Sequence, residues 1–177
     1  MDATAIDFPA ETFAVLKGLD IRQVATVPDA GHATLIRLCD ADPDMTLVPL
    51  TTEEEGIALL AGAWWGGQRG MLLMQSSGVG NCINMLSLPL TYRLPLLMLV
   101  TMRGDWGEFN PMQVPMGQGT QPVLEAMGVL VRRADTAADV APAVEGMAKI
   151  AFNAGRPAAV LIGQRVIGAK NFAESQQ

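Results

Sequence analysis

Apolar residues along the chain occur in short continuous runs that alternate with longer stretches of helical periodicity. Continuous apolar runs are typical of strands buried on both faces, and their alternation with helices predicts a parallel sheet built from βαβ units. The predicted strands cover residues 22–28, 45–50, 70–76, 95–102, 128–133 and 158–164. The pattern therefore predicts an α/β fold, doubly wound, with about six mainly parallel strands and helices on both faces.

The segments between the predicted strands show helical periodicity or turn composition. Helices are predicted over residues 31–40, from 53 onwards, and over 79–93, 121–127 and 136–154. Residues 103–119 are rich in Gly and Pro, which predicts a long functional loop instead of a helix. Because no linker or repeat interrupts the pattern, residues 1–177 are expected to form a single domain, with a core of about 10–165 and a polar tail over 169–177.

The connections that follow the first four strands contain most of the candidate chemistry. In a doubly wound sheet, ligands bind at the carboxyl ends of the strands. The segments expected to meet there are residues 27–32, 51–55, 75–81 and 102–115. We therefore search these four segments for a functional site.

Three consecutive glutamates begin the second predicted helix. Thr52 and Glu55 fit a capping box in which Glu55 reaches back to the amide of Thr52, and Glu54 fits a first-turn charge that favours the helix dipole. Glu53 shares a helix face with apolar residues, namely Ile57, Leu60, Ala61 and Trp64. A carboxylate on that face needs a partner, although the pattern alone also allows three solvated charges.

Composition and charge narrow the classes of partner. Hydrophobic residues make up 50% of the chain and charged residues 17%, which leaves little polar surface and predicts a partner surface. A net charge of -6 without a Lys/Arg cluster argues against nucleic acid or an anionic membrane as a ligand. Cys39 and Cys82 lack metal or CxxC spacing, and the chain shows neither a secretory pattern nor a long apolar run. A cytoplasmic protein is expected.

Several weaker motifs leave alternatives open. The glycine turn at residues 78–81 is compatible with a phosphate cradle or with a tight packing turn, because it lacks a third glycine and a Walker lysine. His32 is the only histidine and has no triad or zinc spacing, and Asp105 stands alone as a candidate metal ligand. We assign no metal ligand to this chain.

Four segments together resemble the pyrimidine-binding domain of thiamin-diphosphate-dependent 2-oxo acid decarboxylases. They are "VPDAG" (27–31), "EEEGIALLAGAW" (53–64), "MQSSGVGNCINML" (74–86) and "RGDWGEFNPMQVPMG" (103–117). Within that family the chain is similar to the small α-subunits of sulfopyruvate decarboxylase and to the matching half of phosphonopyruvate decarboxylase. The resemblance covers roughly residues 10–165 and implies the same doubly wound fold.

The resemblance assigns a role to one of the three glutamates. In the family, a glutamate nine residues before a helix glycine hydrogen-bonds the aminopyrimidine ring of the cofactor and activates it. Glu53 and Gly62 have that spacing (62 − 53 = 9), so the resemblance implies that Glu53 is the catalytic residue. It also implies that Gly78 and Asn81 border the pyrimidine, so that this turn would not hold phosphate.

Further residues receive tentative roles in the same way. Pro28 and Asp29 match a loop that lines the substrate side, and Gln113 resembles a glutamine that related acetolactate synthases place near the cofactor. Arg103, at the end of the fourth strand, is the candidate cation for an anionic substrate. Met74 stands where other members have a histidine before the glycine turn.

The family's diphosphate-binding half is missing from the sequence. No GDG motif followed by paired asparagines is present, so the resemblance implies that a β-subunit holds Mg²⁺ and the diphosphate of the cofactor. The resemblance therefore implies that the chain is the α-subunit of a hetero-oligomer, such as α2β2 or larger. The expected reaction of that enzyme is the decarboxylation of 3-sulfopyruvate to sulfoacetaldehyde and CO₂. The alternatives are phosphonopyruvate decarboxylation, acetolactate-synthase-like carboligation, or a non-catalytic nucleotide-binding or regulatory module in which the glutamates are only caps.

Overall fold

The computed structural model describes residues 6–168, which form one six-stranded sheet. All neighbouring strands are parallel, in the order β2-β1-β3-β4-β6-β5. The strands are β1 (Ile21–Thr26), β2 (Thr46–Pro49), β3 (Arg69–Gln75), β4 (Leu96–Thr101), β5 (Leu130–Ala134) and β6 (Pro157–Ile162). The predicted fold class and the six predicted strands are confirmed.

Helices cover both faces of the sheet, as predicted. They are α1 (Phe8–Gly18), α2 (Ala33–Asp40), α3 (Glu53–Trp65), α4 (Ser76–Cys82), α5 (Ser87–Tyr92), α6 (Val114–Ala126), α7 (Ala137–Ala154) and α8 (Gln164–Ile167). Two 3-10 turns, Ala30–His32 and Pro111–Gln113, precede α2 and α6. Helices α1, α2 and α7 pack on one face, whereas α3, α4 and α6 pack on the other.

The central strand β4 explains why the apolar runs in the sequence are continuous. All six of its residues are buried. Leu97 and Leu99 belong to the core under α1, α2 and α7, whereas Leu96 and Met98 belong to the core under α3, α4 and α6. Because successive side chains of a strand point to opposite faces, a strand covered on both sides needs an apolar residue at every position.

Both cysteines are part of this core. Cys39 lies in α2 and Cys82 at the end of α4, and both thiols are free and buried. Burial raises the pKa of each thiol to about 12, so neither forms a thiolate near neutral pH. Both cysteines are therefore core thiols.

Two predicted helix boundaries were wrong, and both lie near a proline. The single helix expected over 79–93 is two helices, α4 and α5, since the ring of Pro89 would clash with the carbonyl of residue 85 in a continuous helix. The loop expected over 103–119 ends early, because α6 begins at Val114 instead of about residue 121. Pro115 lies in the first turn of α6, where a missing amide hydrogen is tolerated.

The sequence pattern also missed two helices at the ends of the described chain. Helix α1 is capped by Asp7, whose Oδ1 accepts from the amide of Ala10 at 3.2 Å, and α8 has only four residues. No helix among residues 6–168 is long and apolar enough to cross a membrane. The predicted polar tail, residues 169–177, lies outside the described residues, and a single domain over 1–177 stays a prediction.

The burial of the central strands makes a quantitative prediction. We expect Leu73→Ala in β3, which is fully buried, to lower the free energy of unfolding by about 2–5 kcal/mol because it leaves a cavity. Leu130→Ala in the edge strand β5 is the matched control, since Leu130 is exposed, and should change stability by less than about 1 kcal/mol. Urea unfolding of the purified chain measures both; equal losses would contradict this core.

Candidate active site

Glu53 is the first residue of α3, and its carboxyl group is buried against α4. Only 9% of the residue is exposed, and Asn81 Nδ2 donates to Glu53 Oε2 at 2.8 Å. Gly78 lies directly beside the carboxyl group, so that a Cβ at position 78 would stand only 2.6 Å from Glu53 Cγ. The absent side chain at position 78 is therefore what makes room for Glu53.

The other two glutamates differ from Glu53 in their surroundings. Glu55 Oε2 accepts from the amide of Thr51 at 2.9 Å, and Thr52 is the N-cap without a side-chain cap bond. The predicted capping box is therefore wrong, because Glu55 binds the amide of Thr51 and not that of Thr52. The extended backbone at Thr52 places the Thr51 amide within reach of Glu55. Glu54 is half-buried in the first turn, where a negative charge favours the helix dipole.

Asp29 joins the ends of three neighbouring strands. Its Oδ2 accepts from Thr101 Oγ1 at 2.6 Å and from the amide of Gly31 at 3.1 Å, and its Oδ1 accepts from Gln75 Nε2 at 3.3 Å. Thr101 ends β4 and Gln75 ends β3, while Asp29 itself follows β1. Three hydrogen bonds hold the carboxylate at the middle of the carboxyl edge of the sheet.

Arg103 is already paired within the chain. Its Nε donates to Glu108 Oε2 at 2.6 Å, and its Nη2 donates to Glu108 Oε1 at 2.5 Å. The hydrogen bonds from Arg103 are the main cause that lowers the pKa of Glu108 to about 2, and the same pairing raises the pKa of Arg103. Both groups therefore stay charged across the neutral range, and their charges cancel.

Gln113 carries an unsatisfied buried acceptor. It ends the 3-10 turn before α6 and is the residue preceding that helix. Its Oε1 is buried, yet it has no hydrogen-bond partner among residues 6–168. A buried acceptor without a donor is unfavourable, so this atom is a candidate contact for a group outside the described chain.

His32 and Met74 are structural at this edge of the sheet. His32 Nε2 lies 3.3 Å from the carbonyl of Met74 and 3.1 Å from that of Leu99, so this nitrogen carries the proton and donates. Burial lowers the pKa of His32, which keeps the ring uncharged. Met74 is fully buried in the core under α3 and α4.

The structure brings some of the predicted site residues together and leaves others apart. Glu53, Gly78 and Asn81 form one cluster, whereas Asp29 and Arg103 line a separate cavity of about 80 Å³. Pro28 is exposed next to Asp29. Within residues 6–168, no group of three or more His, Cys, Asp or Glu side chains is placed to hold a metal ion.

Comparison with known proteins decides the family. No family model matches the chain. The α-subunit of sulfopyruvate decarboxylase from Methanothermobacter thermautotrophicus is 35% identical over 158 residues, which are 89% of this chain and 96% of that subunit. The chain belongs to the sulfopyruvate decarboxylase α-subunit family.

Two longer decarboxylases are also similar to this chain. Sulfopyruvate decarboxylase of Methanosarcina acetivorans is 33% identical over 86% of this chain, which spans 39% of that protein. Phosphonopyruvate decarboxylase of Streptomyces viridochromogenes is 38% identical over 66% of this chain and 30% of its own length. The family is thus one of decarboxylase subunits, and this chain matches less than half of the length of these two decarboxylases.

A solved structure supports the same fold. A protein of Mycobacterium smegmatis described as a thiamin-diphosphate-dependent enzyme superposes with a TM-score of 0.70 at 18% sequence identity. The alignment covers 88% of this α-subunit-family chain and 30% of the solved chain. The fold is therefore that of a domain found in thiamin-diphosphate-dependent enzymes.

The sequence did not predict four polar residues that form hydrogen bonds at the carboxyl edge of the sheet. Thr101 and Gln75 hold Asp29, and Glu108 and Gln164 hold Arg103 and the chain that follows it. Thr101 and Gln75 each end a predicted strand, so their position at the carboxyl edge was a usable signal. Glu108 lies in an irregular segment without periodicity, and no sequence signal pointed to it.

The contact between Glu53 and α4 yields a test with a matched control. We expect Gly78→Ala to lower the free energy of unfolding by about 1–3 kcal/mol, because the new methyl group overlaps the Glu53 side chain. Gly80→Ala, two residues on in the same helix, should leave stability unchanged or raise it by up to about 1 kcal/mol, since its Cβ meets Met116 Sδ at an ordinary 3.5 Å and alanine favours a helix over glycine. Urea unfolding of both variants makes the comparison, and equal effects would contradict the packing.

Proposed function

We propose that this chain is the pyrimidine-binding α-subunit of a heteromeric, thiamin-diphosphate-dependent decarboxylase that converts 3-sulfopyruvate to sulfoacetaldehyde and CO₂. The observation that carries the proposal is the buried Glu53 carboxyl group, held by Asn81 and seated against Gly78 in a chain of this family. In this proposal Glu53 is the catalytic residue. The cofactor contacts are Glu53, Pro28, Gly78, Asn81 and Gln113, and Asp29 and Arg103 lie on the substrate side.

The residues assigned to the cofactor carry the hydrogen-bonding groups that an aminopyrimidine ring needs. Asn81 fixes Oε2 of Glu53, which leaves Oε1 without a hydrogen bond from the described residues. A proton on Oε1 would be donated to a ring nitrogen, while the unpaired Oε1 of Gln113 is suited to accept from an amino group. Gly78, without a side chain, leaves the space that the Glu53 carboxyl group occupies. Thiamin diphosphate, when bound, supplies the nucleophilic carbon and the electron sink for decarboxylation.

The rest of the cofactor needs a second chain. The sequence has no GDG motif with paired asparagines, so we assign Mg²⁺ and the diphosphate to a β-subunit. The relatives support this division, because the similar Methanothermobacter protein is named a subunit alpha, whereas the Methanosarcina sulfopyruvate decarboxylase is more than twice as long as the matched region. The expected assembly is a hetero-oligomer such as α2β2, in the cytoplasm.

The outer face of α3 is suited to contact that subunit. Ala58, Gly62 and Trp65 are exposed along it, and the helix carries no charge after Glu55. Trp65 packs edge to face on Tyr92 at 6.2 Å, and both rings are more than half exposed. A Cβ at position 62 would meet nothing within 4 Å, so the packing of this chain does not require glycine there. Exposed apolar surface of this kind marks protein contacts.

The substrate side is not strongly positive. Arg103 is neutralised by Glu108, and Asp29 adds a negative charge next to it. A 2-oxo acid with a sulfonate carries two negative charges, so the β-subunit must supply further cations. Phosphonopyruvate is the second candidate substrate, because the Streptomyces phosphonopyruvate decarboxylase is 38% identical to this chain.

The first experiment tests the division between subunits. We expect the purified chain alone to release no CO₂ from 3-sulfopyruvate, phosphonopyruvate or pyruvate, even with thiamin diphosphate and Mg²⁺. Co-purified with a diphosphate-binding partner, it should release CO₂ from 3-sulfopyruvate fastest. Activity of the chain alone would contradict the partner assignment, and a complex inactive on all three acids would reject decarboxylation.

The second experiment tests the role of Glu53. In the complex, Glu53→Gln should lower kcat by about 10²–10⁴-fold, because an amide cannot hold a proton for transfer to the ring. Glu54→Gln is the matched control, since Glu54 is the next residue and only half-buried; its kcat should stay within about threefold of the wild type. Near-full activity of Glu53→Gln would refute the assignment.

A further inference from the structure

The segment between β4 and α6, residues 103–113, is built around one buried carboxylate. The Glu108 side chain is only 3% exposed. Its two oxygens accept from five donors, which are Arg103 Nε, Arg103 Nη2, the amides of Gly104 and Asn110, and Gln164 Nε2. A carboxylate with so many donors has little freedom to move, and it fixes whatever donates to it.

Glu108 holds both ends of this segment. At the first end it accepts from the amide of Gly104, whose φ of +79° and contact with the main chain of Gln113 leave no room for a side chain. At the second end it accepts from the amide of Asn110. Asn110 in turn accepts from the amide of Gln113 through its carbonyl at 3.0 Å and from that of Met112 through Oδ1 at 3.1 Å. Both routes lead to Gln113.

Gln164 anchors the same segment to the sheet. It follows β6 and is 1% exposed. Its Oε1 accepts from the amides of Asp105 and Trp106 at 3.2 and 3.1 Å, and its Nε2 donates to Glu108 Oε2 at 2.8 Å. Every polar atom of the Gln164 side chain is thus engaged in holding the segment.

This anchoring explains how Gln113 keeps an unpaired acceptor. In a mobile segment, a buried carbonyl oxygen without a donor would turn towards water or a neighbouring amide. Here the main chain of Gln113 is held through Gly104 and through Asn110, and its Oε1 is buried without a partner among residues 6–168. The main chain of the segment is thus held by contacts within this chain alone.

We propose that Glu108 is a positioning residue that holds residues 103–113 so that Oε1 of Gln113 is fixed for a donor group of the cofactor. The proposal rests on the function proposed above, because it takes thiamin diphosphate as the ligand. It adds that the cofactor meets a preordered acceptor, so that no ordering of the segment opposes binding.

The test measures the Kd of the co-purified complex for thiamin diphosphate by tryptophan fluorescence. Glu108→Gln removes the negative charge to which the five donors bind. Gln113→Met removes the acceptor oxygen and keeps a side chain of similar length. Each change should raise the Kd roughly tenfold, the effect of one lost hydrogen bond. The double variant should be no weaker than the weaker single variant, because both changes act on one contact.

A control variant and a second measurement distinguish a positioning role of Glu108 from an effect on the stability of the fold alone. Asp135→Asn alters the outer end of the same polar network, where Arg133 joins Asp135 to Asp105, and should leave the Kd within about twofold. Hydrogen exchange of residues 104–113 in the cofactor-free complex should be faster in Glu108→Gln but unchanged in Gln113→Met.

The outcomes decide between the two proposals. If Glu108→Gln lowers the unfolding temperature but leaves the Kd unchanged, Glu108 only stabilises the fold and the positioning role is rejected, while the proposed function stands. Additive effects in the double variant would also reject it, because Glu108 would then not act through Gln113. If the wild-type complex does not bind thiamin diphosphate, the positioning role and the proposed function both fail.

Discussion

The close approach of the Glu53 carboxyl group to Gly78 is the constraint around which this edge of the molecule is organised. Glu53 begins α3 after β2, and Gly78 lies in α4 after β3; β1 runs between those two strands and ends in the loop that carries Asp29. The parallel sheet therefore brings two helix starts together over the end of a third strand. A carboxyl group can be buried there only because position 78 has no side chain and Asn81 supplies a donor.

The charges at the carboxyl edge are largely paired within the chain. Arg103 is bound by Glu108, and Arg133 is bound by Asp105 and Asp135. These pairs connect the ends of β4 and β5, and Gln164, which follows β6, joins them through Glu108 and the amides of Asp105 and Trp106. In the proposed function, this chain therefore offers the ligand the Glu53 carboxyl group and the unsatisfied Oε1 of Gln113 instead of an excess of positive charge.

How much of this the sequence could predict depended on how local each signal was. The strands were predictable because burial on both faces requires continuous apolar residues, as in β4. The start of α6 was not, since Gly117 looks unfavourable in a helix until the main chain of Arg103 and Gly104 is seen to pack against it. The apolar helix face set Glu53 apart from its two neighbours, but its proposed role came only from its spacing to Gly62 and the resemblance. The contacts of Glu108 are set by tertiary structure alone.

The central claim is that this chain supplies the pyrimidine half of a shared active site. The most direct measurement is a structure of the co-purified complex with thiamin diphosphate bound. The account predicts a ring nitrogen of the pyrimidine within about 2.6–3.2 Å of the Glu53 carboxyl group, with the ring beside Gly78. A pyrimidine ring bound elsewhere, with Glu53 facing only protein or water, would contradict it.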